Sequence, residues 1–363
     1  MYFRWYFSWL IIVVILLSCQ EKDKKQNLFK NHSAIKIKYA KHFGIGEKEG
    51  TKYLFVTENF EDTSWIKIER PYQKIAALGT IPVFQMYLLN ALNNLVAIDD
   101  IRYYCLESIQ KLYSAKKIID IQPNLQWNYE LLLFTDPDIL ITYSNLKENM
   151  QLQHIVSNHQ IQHLVYLDYL EESPLARAEW IKAIGALLDK DSLANKIFND
   201  IEKRYIELKQ LTKSIESRPK VLTEVMYGDV WYIAGKNSYI AQLINDAGGN
   251  YCFDFHNYEN TKPYSFEYVL KYAQDADVWL NLHQYRSLNE MQNAFTKYKL
   301  FKAFQKKQCF NNNKIQNQFG FNDYYESGIC LPHQILEDMI KILHPELLPN
   351  KNEFYYYYQL SEK

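Results

Sequence analysis

The chain has 363 residues, 48% of them hydrophobic, and a formal net charge of −1. That length can bury two ordinary cores, and a charge so near zero argues against nucleic acid or an anionic membrane surface as a partner. Thirty Tyr, 19 Phe and 7 Trp against only 11 Gly and 10 Pro supply flat apolar faces with polar tips, which suit core edges and surfaces that grip large ligands.

Arg4 precedes an apolar run from Trp5 to Leu17, followed by Ser18-Cys19 and the charged stretch EKDKK. Thirteen helical residues reach about 20 Å, short of a bilayer core of about 30 Å, so the run reads as the apolar region of a signal peptide rather than a membrane span. Residues 20 to about 33 are polar and suit a flexible tether. Export would place the other cysteines, Cys105, Cys252, Cys309 and Cys330, where disulfides are permitted. Three pairings exist, and spacing does not choose among them.

Residues 35–70 alternate in places (IKIKY, KYLFV, WIKIE), as half-exposed antiparallel strands do. From residue 74 the pattern becomes denser. Lys74–Leu78 is predicted as a strand, Val83–Leu92 as a helix after Gly79-Thr80-Ile81-Pro82, and Leu95–Ile98 as the next strand. A helix over Glu130–Phe134, a stop at Asp136-Pro137-Asp138 and an apolar strand over Ile139–Tyr143 follow. His163–Leu167 is one more strand, and Ser173-Pro174 opens a helix to about Leu188. Helix, stop and continuous apolar strand form the pattern of a parallel sheet covered on both faces.

The longest stretch free of breakers is Asp191–Ser217, with Leu193, Ile197, Ile201, Tyr205, Leu208, Leu211 and Ile215 on one stripe. As a helix it would run roughly 40 Å, either along one domain or as a spine between two lobes. The sequence beyond it favours the spine, because the pattern repeats. Lys220–Val225 is a strand, Tyr227–Tyr232 an aromatic turn, Ser238–Ala247 a helix stopped by Gly248-Gly249, and Val278–Leu282 a strand after a helix opened by Ser265-Phe266-Glu267. NYELLLFTDPDILI and SFEYVLKYAQDADVWL are one unit written twice, once on each side of the long helix.

The order of signal, α/β lobe, long helix and α/β lobe resembles the substrate-binding proteins of ABC importers for iron–siderophore complexes, haem and cobalamin. The resemblance covers residues 70 to about 345 and rests on 128–141, on Trp231-Tyr232 with Asp246–Tyr251, on 265–279 and on Asn322–Glu326. The stretch Glu172–Trp180 and His344–Leu347 look like the Bacteroidetes long form. Leu16-Leu17-Ser18-Cys19 is similar to a lipobox, which makes Cys19 the acylated first residue of the mature protein, held at a membrane surface without spanning it.

The resemblance implies an α/β fold of two Rossmann-like lobes with mostly parallel sheets joined by a single long helix. The expected divisions are 1–18 signal peptide, 19–34 lipidated tether, 35–189 N-terminal lobe, 190–217 linking helix and 218–363 C-terminal lobe. It implies a monomer in the periplasm, an ABC permease as partner, and transported cargo (an iron–siderophore complex, haem or cobalamin) in place of an intrinsic cofactor. Glu130 and Glu267 fall where this family offers one glutamate per lobe to arginines of the permease. A carboxylate in the first helical turn suits the helix dipole and bidentate pairing with arginine.

Ligands of open α/β sheets lie beyond the carboxyl ends of the strands. Those ends offer Thr80, Tyr143, Ser144, Glu171 and Glu172 from the first lobe and Tyr227, Trp231, Tyr232, Asn281, His283 and Tyr324 from the second. Such a set suits a large flat or amphipathic ligand. Scattered histidines argue against a free-metal site, although His283 stands at a strand end where it could reach iron or cobalt. Two alternatives remain open: a surface binding lipoprotein without a permease, and a lipid-anchored α/β enzyme. Against the enzyme, the chain has no G-x-S-x-G elbow, no HExxH and no phosphate-cradling glycine loop.

Overall fold

The computed structural model describes residues 36–58, 63–257, 261–349 and 353–363. The signal region, tether and Cys19 lie outside the described residues. Three antiparallel strands come first, β1 (Phe43–Lys48), β2 (Thr51–Thr57) and β3 (Thr63–Ile68), as the alternating pattern predicts. A parallel sheet follows, built from β4 (Ile75–Ala77), α1 (Thr80–Leu88), β5 (Leu95–Ile98), α2 (Glu107–Ser114), β6 (Ile119–Asp120), α3 (Tyr129–Thr135), β7 (Ile139–Thr142), α4 (Met150–Asn158) and β8 (Gln162–Val165). Its strand order is β6-β5-β4-β7-β8. The central strands β4 and β7 are buried throughout, which is why they read as unbroken apolar runs.

The helix expected to run from Ser173 to Leu188 is two, α5 (Pro174–Glu179) and α6 (Ile181–Leu187), with the Ser173 hydroxyl accepting from Ala176 N–H at 3.0 Å. The long helix is α7 (Asp191–Leu211), 21 residues, or about 32 Å. It stops six residues short of the expected Ser217. There the Thr212 hydroxyl turns to the carbonyls of Lys209 (3.0 Å) and Asp246 (2.7 Å), and the chain leaves to enter the second sheet. The apolar stripe is also rotated: Ala194, Phe198, Ile201, Tyr205 and Leu208 are buried, while Leu211 is exposed.

Its N-terminal part packs on the first lobe and its C-terminal part on the second. Asp191 pairs with Lys52, and Glu202 accepts from Lys38 Nζ at 2.6 Å and Tyr39 OH at 2.7 Å. Further along, Arg204 pairs with Glu337 at 2.7 Å, and Tyr205 OH and Lys209 both reach Asp246 at 2.8 Å. Helix α6 lies close because Gly185 has no side chain; a Cβ there would sit 2.6 Å from that of Ala194.

The second lobe contains β9 (Lys220–Thr223), β10 (Met226–Tyr227), β11 (Val230–Ile233), α8 (Tyr239–Asp246), β12 (Asn250–Tyr251), β13 (Lys262–Tyr264), α9 (Phe266–Ala273), β14 (Val278–Leu280) and α10 (Leu288–Ala294). It continues through α11 (Lys302–Gln305), β15 (Cys309–Asn311), α12 (Ser327–Cys330), α13 (Pro332–Leu343) and β16 (Tyr358–Gln359). Its main sheet runs β12-β9-β14-β15-β16, parallel except for β16, and β10-β11-β13 form a small antiparallel sheet. Cys105, Cys252, Cys309 and Cys330 are free thiols.

Candidate functional site: the cleft between the lobes

In each parallel sheet the chain winds outward from one central strand, then returns to build the other side. The reversal falls between β4 and β7 in the first lobe and between β9 and β14 in the second. Loops leaving adjacent strands diverge at such a point and open a crevice at their carboxyl ends.

At the first crevice Gly79 and Thr80 follow β4, and Tyr143 follows β7. Gly79 adopts φ +97, and a Cβ there would lie 2.0 Å from Cε2 of Tyr143. Only glycine lets the tyrosine ring lie over this loop. Asp99, just beyond β5, accepts from Gly79 N–H at 3.1 Å and from Tyr104 OH at 2.6 Å. Burial outweighs these bonds and pushes its carboxyl up to about 6.

At the second crevice Glu224 follows β9, and Asn281 and His283 follow β14. All three hold left-handed backbone, with φ +64, +60 and +52, a strained geometry that clusters at functional positions. Glu224 accepts from Asn281 Nδ2 at 3.3 Å and meets His283 Nε2 at 2.5 Å. That hydrogen bond raises the imidazole above its ordinary range.

Residues 312–326 cross from the second lobe to the first as a strap. Asn317 Nδ2 donates to the carbonyls of Arg102 (2.7 Å) and Tyr104 (3.1 Å), Phe321 packs edge-on against Tyr103 at 4.9 Å, and Cys105 Sγ donates to Phe321 O at 3.2 Å. Glu326, 1% exposed, accepts from the backbone N–H of Cys105 (2.5 Å) and Leu106 (3.4 Å). Burial, with the nearby Asp323 carboxylate, pushes Glu326 up to about 8. Deeper in the junction, Arg177 of the first lobe pairs with buried Asp168 at 2.7 Å and covers the ring of Tyr239 from the second at 5.2 Å. Between strap and crevice lies a cavity of about 270 Å³ that Thr80, Asp99, Tyr103, Tyr143, Tyr325 and Glu326 help to line.

Sulfur and carboxylate atoms of Cys105, Asp323 and Glu326 approach within 4.8 Å of one another. Their hydrogen bonds are already spent on the strap, Asp323 receiving the Ser327 hydroxyl at 2.6 Å, and burial pushes the thiol up to about 12. The cluster therefore serves as a lobe-to-lobe tie.

Residues 75–311 match the periplasmic binding protein family. The chain belongs to that family. Over 361 residues it is 23% identical to an uncharacterized lipoprotein of Methanocaldococcus jannaschii, covering 93% of this chain and 83% of that one. A periplasmic binding protein from Veillonella parvula superposes with TM-score 0.62 at 12% identity, over 81% of this chain and 98% of that chain. An ABC-type Fe3+-hydroxamate transport protein from Saccharomonospora viridis superposes with TM-score 0.56 at 18% identity, over 77% and 96%. The expected α/β fold with parallel-sheet lobes is thus the fold observed, and the family is one of solute-binding proteins rather than enzymes.

Of the expected ligand residues, Thr80 and Tyr143 line the cavity, and Asn281 and His283 stand together at the second crevice. Trp231 does not line this cavity. It is 0% exposed, stacked on Trp279 at 5.6 Å with its Nε1 donating to Thr223 O at 3.1 Å, because alternation along β11 turns it inward between exposed Tyr232 and half-buried Val230. Tyr227 and Tyr232 are exposed with rings 6.5 Å apart on the β10–β11 hairpin, and neither lines this cavity. Tyr324 is likewise turned away, 3% exposed against Tyr356 and Tyr357, and its neighbour Tyr325 lines the cavity instead.

Glu172 pairs with Lys41 at 3.0 Å and borders a separate polar groove with Lys209 and Lys236. Beside it, Glu171 is buried and accepts from Lys41 and His42 N–H at 3.0 Å, so it holds the entering chain. Glu130 and Glu267 are exposed in the first turns of α3 and α9, whose caps are Asn128 and Ser265. Helix α3 leads from β6 to β7 of the first parallel sheet, whereas α9 follows β13 of the small antiparallel sheet and leads into β14. Asp99, Tyr103, Tyr325 and Glu326 were not anticipated. The Asp99-Asp100 pair directly after the buried strand Leu95–Ile98 was the available signal.

Proposed function

We propose that this periplasmic binding protein is lipid-anchored through Cys19, captures an iron complex or a corrinoid in the cleft between its lobes, and delivers it to an ABC permease through Glu130 and Glu267. The observation that carries the reading is the tyrosine-lined cavity where the 312–326 strap of the second lobe closes on the first crevice, a surface suited to part of a flat or amphipathic chelate. The Fe3+-hydroxamate description of the S. viridis relative supports the iron-complex class. No helix among the described residues is long and apolar enough to cross a membrane, which is compatible with an acyl anchor. At about 270 Å³ the cavity admits only part of a macrocycle, so a haem or corrinoid enters as the 312–326 strap lifts.

The direct test is the mass and visible spectrum of whatever co-purifies with the protein from its own host; a metal chelate is expected, and a colourless metabolite refutes the class. Glu130→Ala and Glu267→Ala should leave ligand affinity intact and weaken docking to the reconstituted permease by roughly ten- to a hundredfold each, the scale of a lost charge-assisted contact. Unchanged docking of the double variant removes the permease assignment. Labelled palmitate should enter the wild type and not Cys19→Ala.

A further inference from the structure

The charge of the cavity narrows its ligand, on the reading above that this cleft is the ligand site. Two carboxyl groups line it, Asp99 from the first lobe and Glu326 from the second, among the rings of Tyr103, Tyr143 and Tyr325. Among the described residues no lysine or arginine lines it. The arginines of the adjoining loops are committed elsewhere: Arg102 Nε grips Asp100 at 2.9 Å, and Arg177 grips Asp168 through Nε at 3.0 Å and a second nitrogen at 2.7 Å. At the second crevice Glu224 adds a third carboxylate, and its one basic neighbour, His283, is bonded to it.

The titratable groups that interact most strongly with the two lining carboxyls are acids, phenols and thiols. Around Asp99 they are Tyr103, Tyr104, Asp120 and Tyr143. Around Glu326 they are Tyr104, Cys105, Asp323 and Cys330. Among the described residues that line the cavity, no ammonium or guanidinium stands beside this pair.

We infer that the cleft selects a metal chelate of net positive charge and rejects polyanionic chelates. A cation favours the ionised form of two carboxyl groups that burial otherwise disfavours as anions, and is attracted by tyrosine faces. An anion of the tricatecholate class brings like charge to groups that burial already disfavours as anions.

Calorimetric titration of the purified full chain with three ferric chelates tests this: a trihydroxamate bearing a free ammonium (net +1), the same compound with its amine acetylated (net 0), and a tricatecholate (net −3). The cationic chelate should bind at least about tenfold more tightly than its acetylated twin, and the tricatecholate should give no heat of binding at the same concentrations. Asp99→Asn and Glu326→Gln should each shrink the tenfold gap between the cationic and acetylated chelates below about threefold; circular dichroism reports whether each variant is folded, and either one suffices. A tricatecholate that binds as tightly as the cationic chelate overturns the inference and leaves the chelate reading standing, as does a gap that persists in both variants. Binding of none of the three overturns the inference and removes the iron–siderophore class from the reading above, leaving its haem and corrinoid members to the co-purification test.

Discussion

Two seams of this molecule are closed by the same device, a buried glutamate that accepts backbone N–H groups from a distant stretch of chain. At the outer seam of the first lobe, Glu179 receives Lys38, Tyr39 and Ala40 N–H at 2.8, 2.7 and 3.0 Å. The same carboxylate pairs at 2.7 Å with Lys182, itself buried and lying over the Phe198 ring at 4.4 Å. At the lobe junction, Glu326 receives two N–H groups and no ammonium, and Asp323 stands beside it. A buried carboxylate with its counter-ion is a permanent joint. One without it is a joint whose strength depends on protonation and on what enters the neighbouring cavity.

The sharpest way to break that comparison is Glu179→Ala. It removes three acceptor contacts and leaves the Lys182 ammonium buried without its partner, so the loss should be about 3–5 kcal/mol in a denaturant melt. A cost below about 1 kcal/mol would remove the outer seam from the comparison. Trp231→Ala, remote from both seams, should cost a similar 3–5 kcal/mol through the cavity it leaves, with ligand affinity unaltered in the folded fraction. A selective loss of affinity would return Trp231 to the cleft.

Glu326→Ala should cost less, about 1–3 kcal/mol, and its signature is local. The amides of Cys105 and Leu106 should exchange hydrogen faster while those of Lys38–Ala40 do not change.

The pH dependence sharpens the same contrast. In the folded state Glu326 is held near 8, whereas in an opened or unfolded chain it titrates near the ordinary carboxyl value, about 4.3. Between those values the closed state keeps a proton that the open state has lost, so closure is favoured at low pH and weakens as pH rises through about 5 to 8. Asp99 and Asp120, each raised to about 6, share the lower part of this slope. Half-buried His163 and His333, each lowered to about 4 by desolvation, oppose it below about pH 6.5, the ordinary imidazole value. Above about pH 6.5 Glu326 shares the fall with His283, whose bond to Glu224 raises it above its ordinary range. Glu326→Gln should flatten the fall in melting temperature there; an unchanged slope would show that Glu326 does not control the junction. The smallest effect belongs to Lys38→Ala, which removes a half-exposed pair with Glu202 and should cost about 1 kcal/mol or less.

Local chemistry carried much of the fold into the sequence. Caps at Asn128, Ser173, Ser238 and Ser265 accept where the polar residues before each helix predict, with Ser238 receiving Ala241 N–H at 3.3 Å. Strands β4, β7 and β14 are buried on both faces and so read as continuous apolar runs. Part of the lining of the junction cavity was legible in the sequence. Thr80 and Tyr143 follow their strands directly, and chain position suffices to find them. Trp231 and Tyr324 are buried and do not line that cavity, because a residue near a strand end has two sides to turn to and nothing in the local sequence says which one the opposite layer covers.

By itself the sequence determined what depends on neighbours a few residues apart: the helix starts, the buried strands, the unit repeated on both sides of α7, and the first-turn positions of Glu130 and Glu267. The tertiary structure decided what depends on chain segments that meet from far away. It ended α7 at Leu211, where Asp246 draws the Thr212 hydroxyl aside. It sealed Trp231 against Trp279 and carried Glu326 across to Cys105, 221 residues distant. Helix periods and caps are set within one or two turns of chain, whereas the side of a strand that faces water, and the partner of a buried carboxyl group, are set by whichever layer packs there.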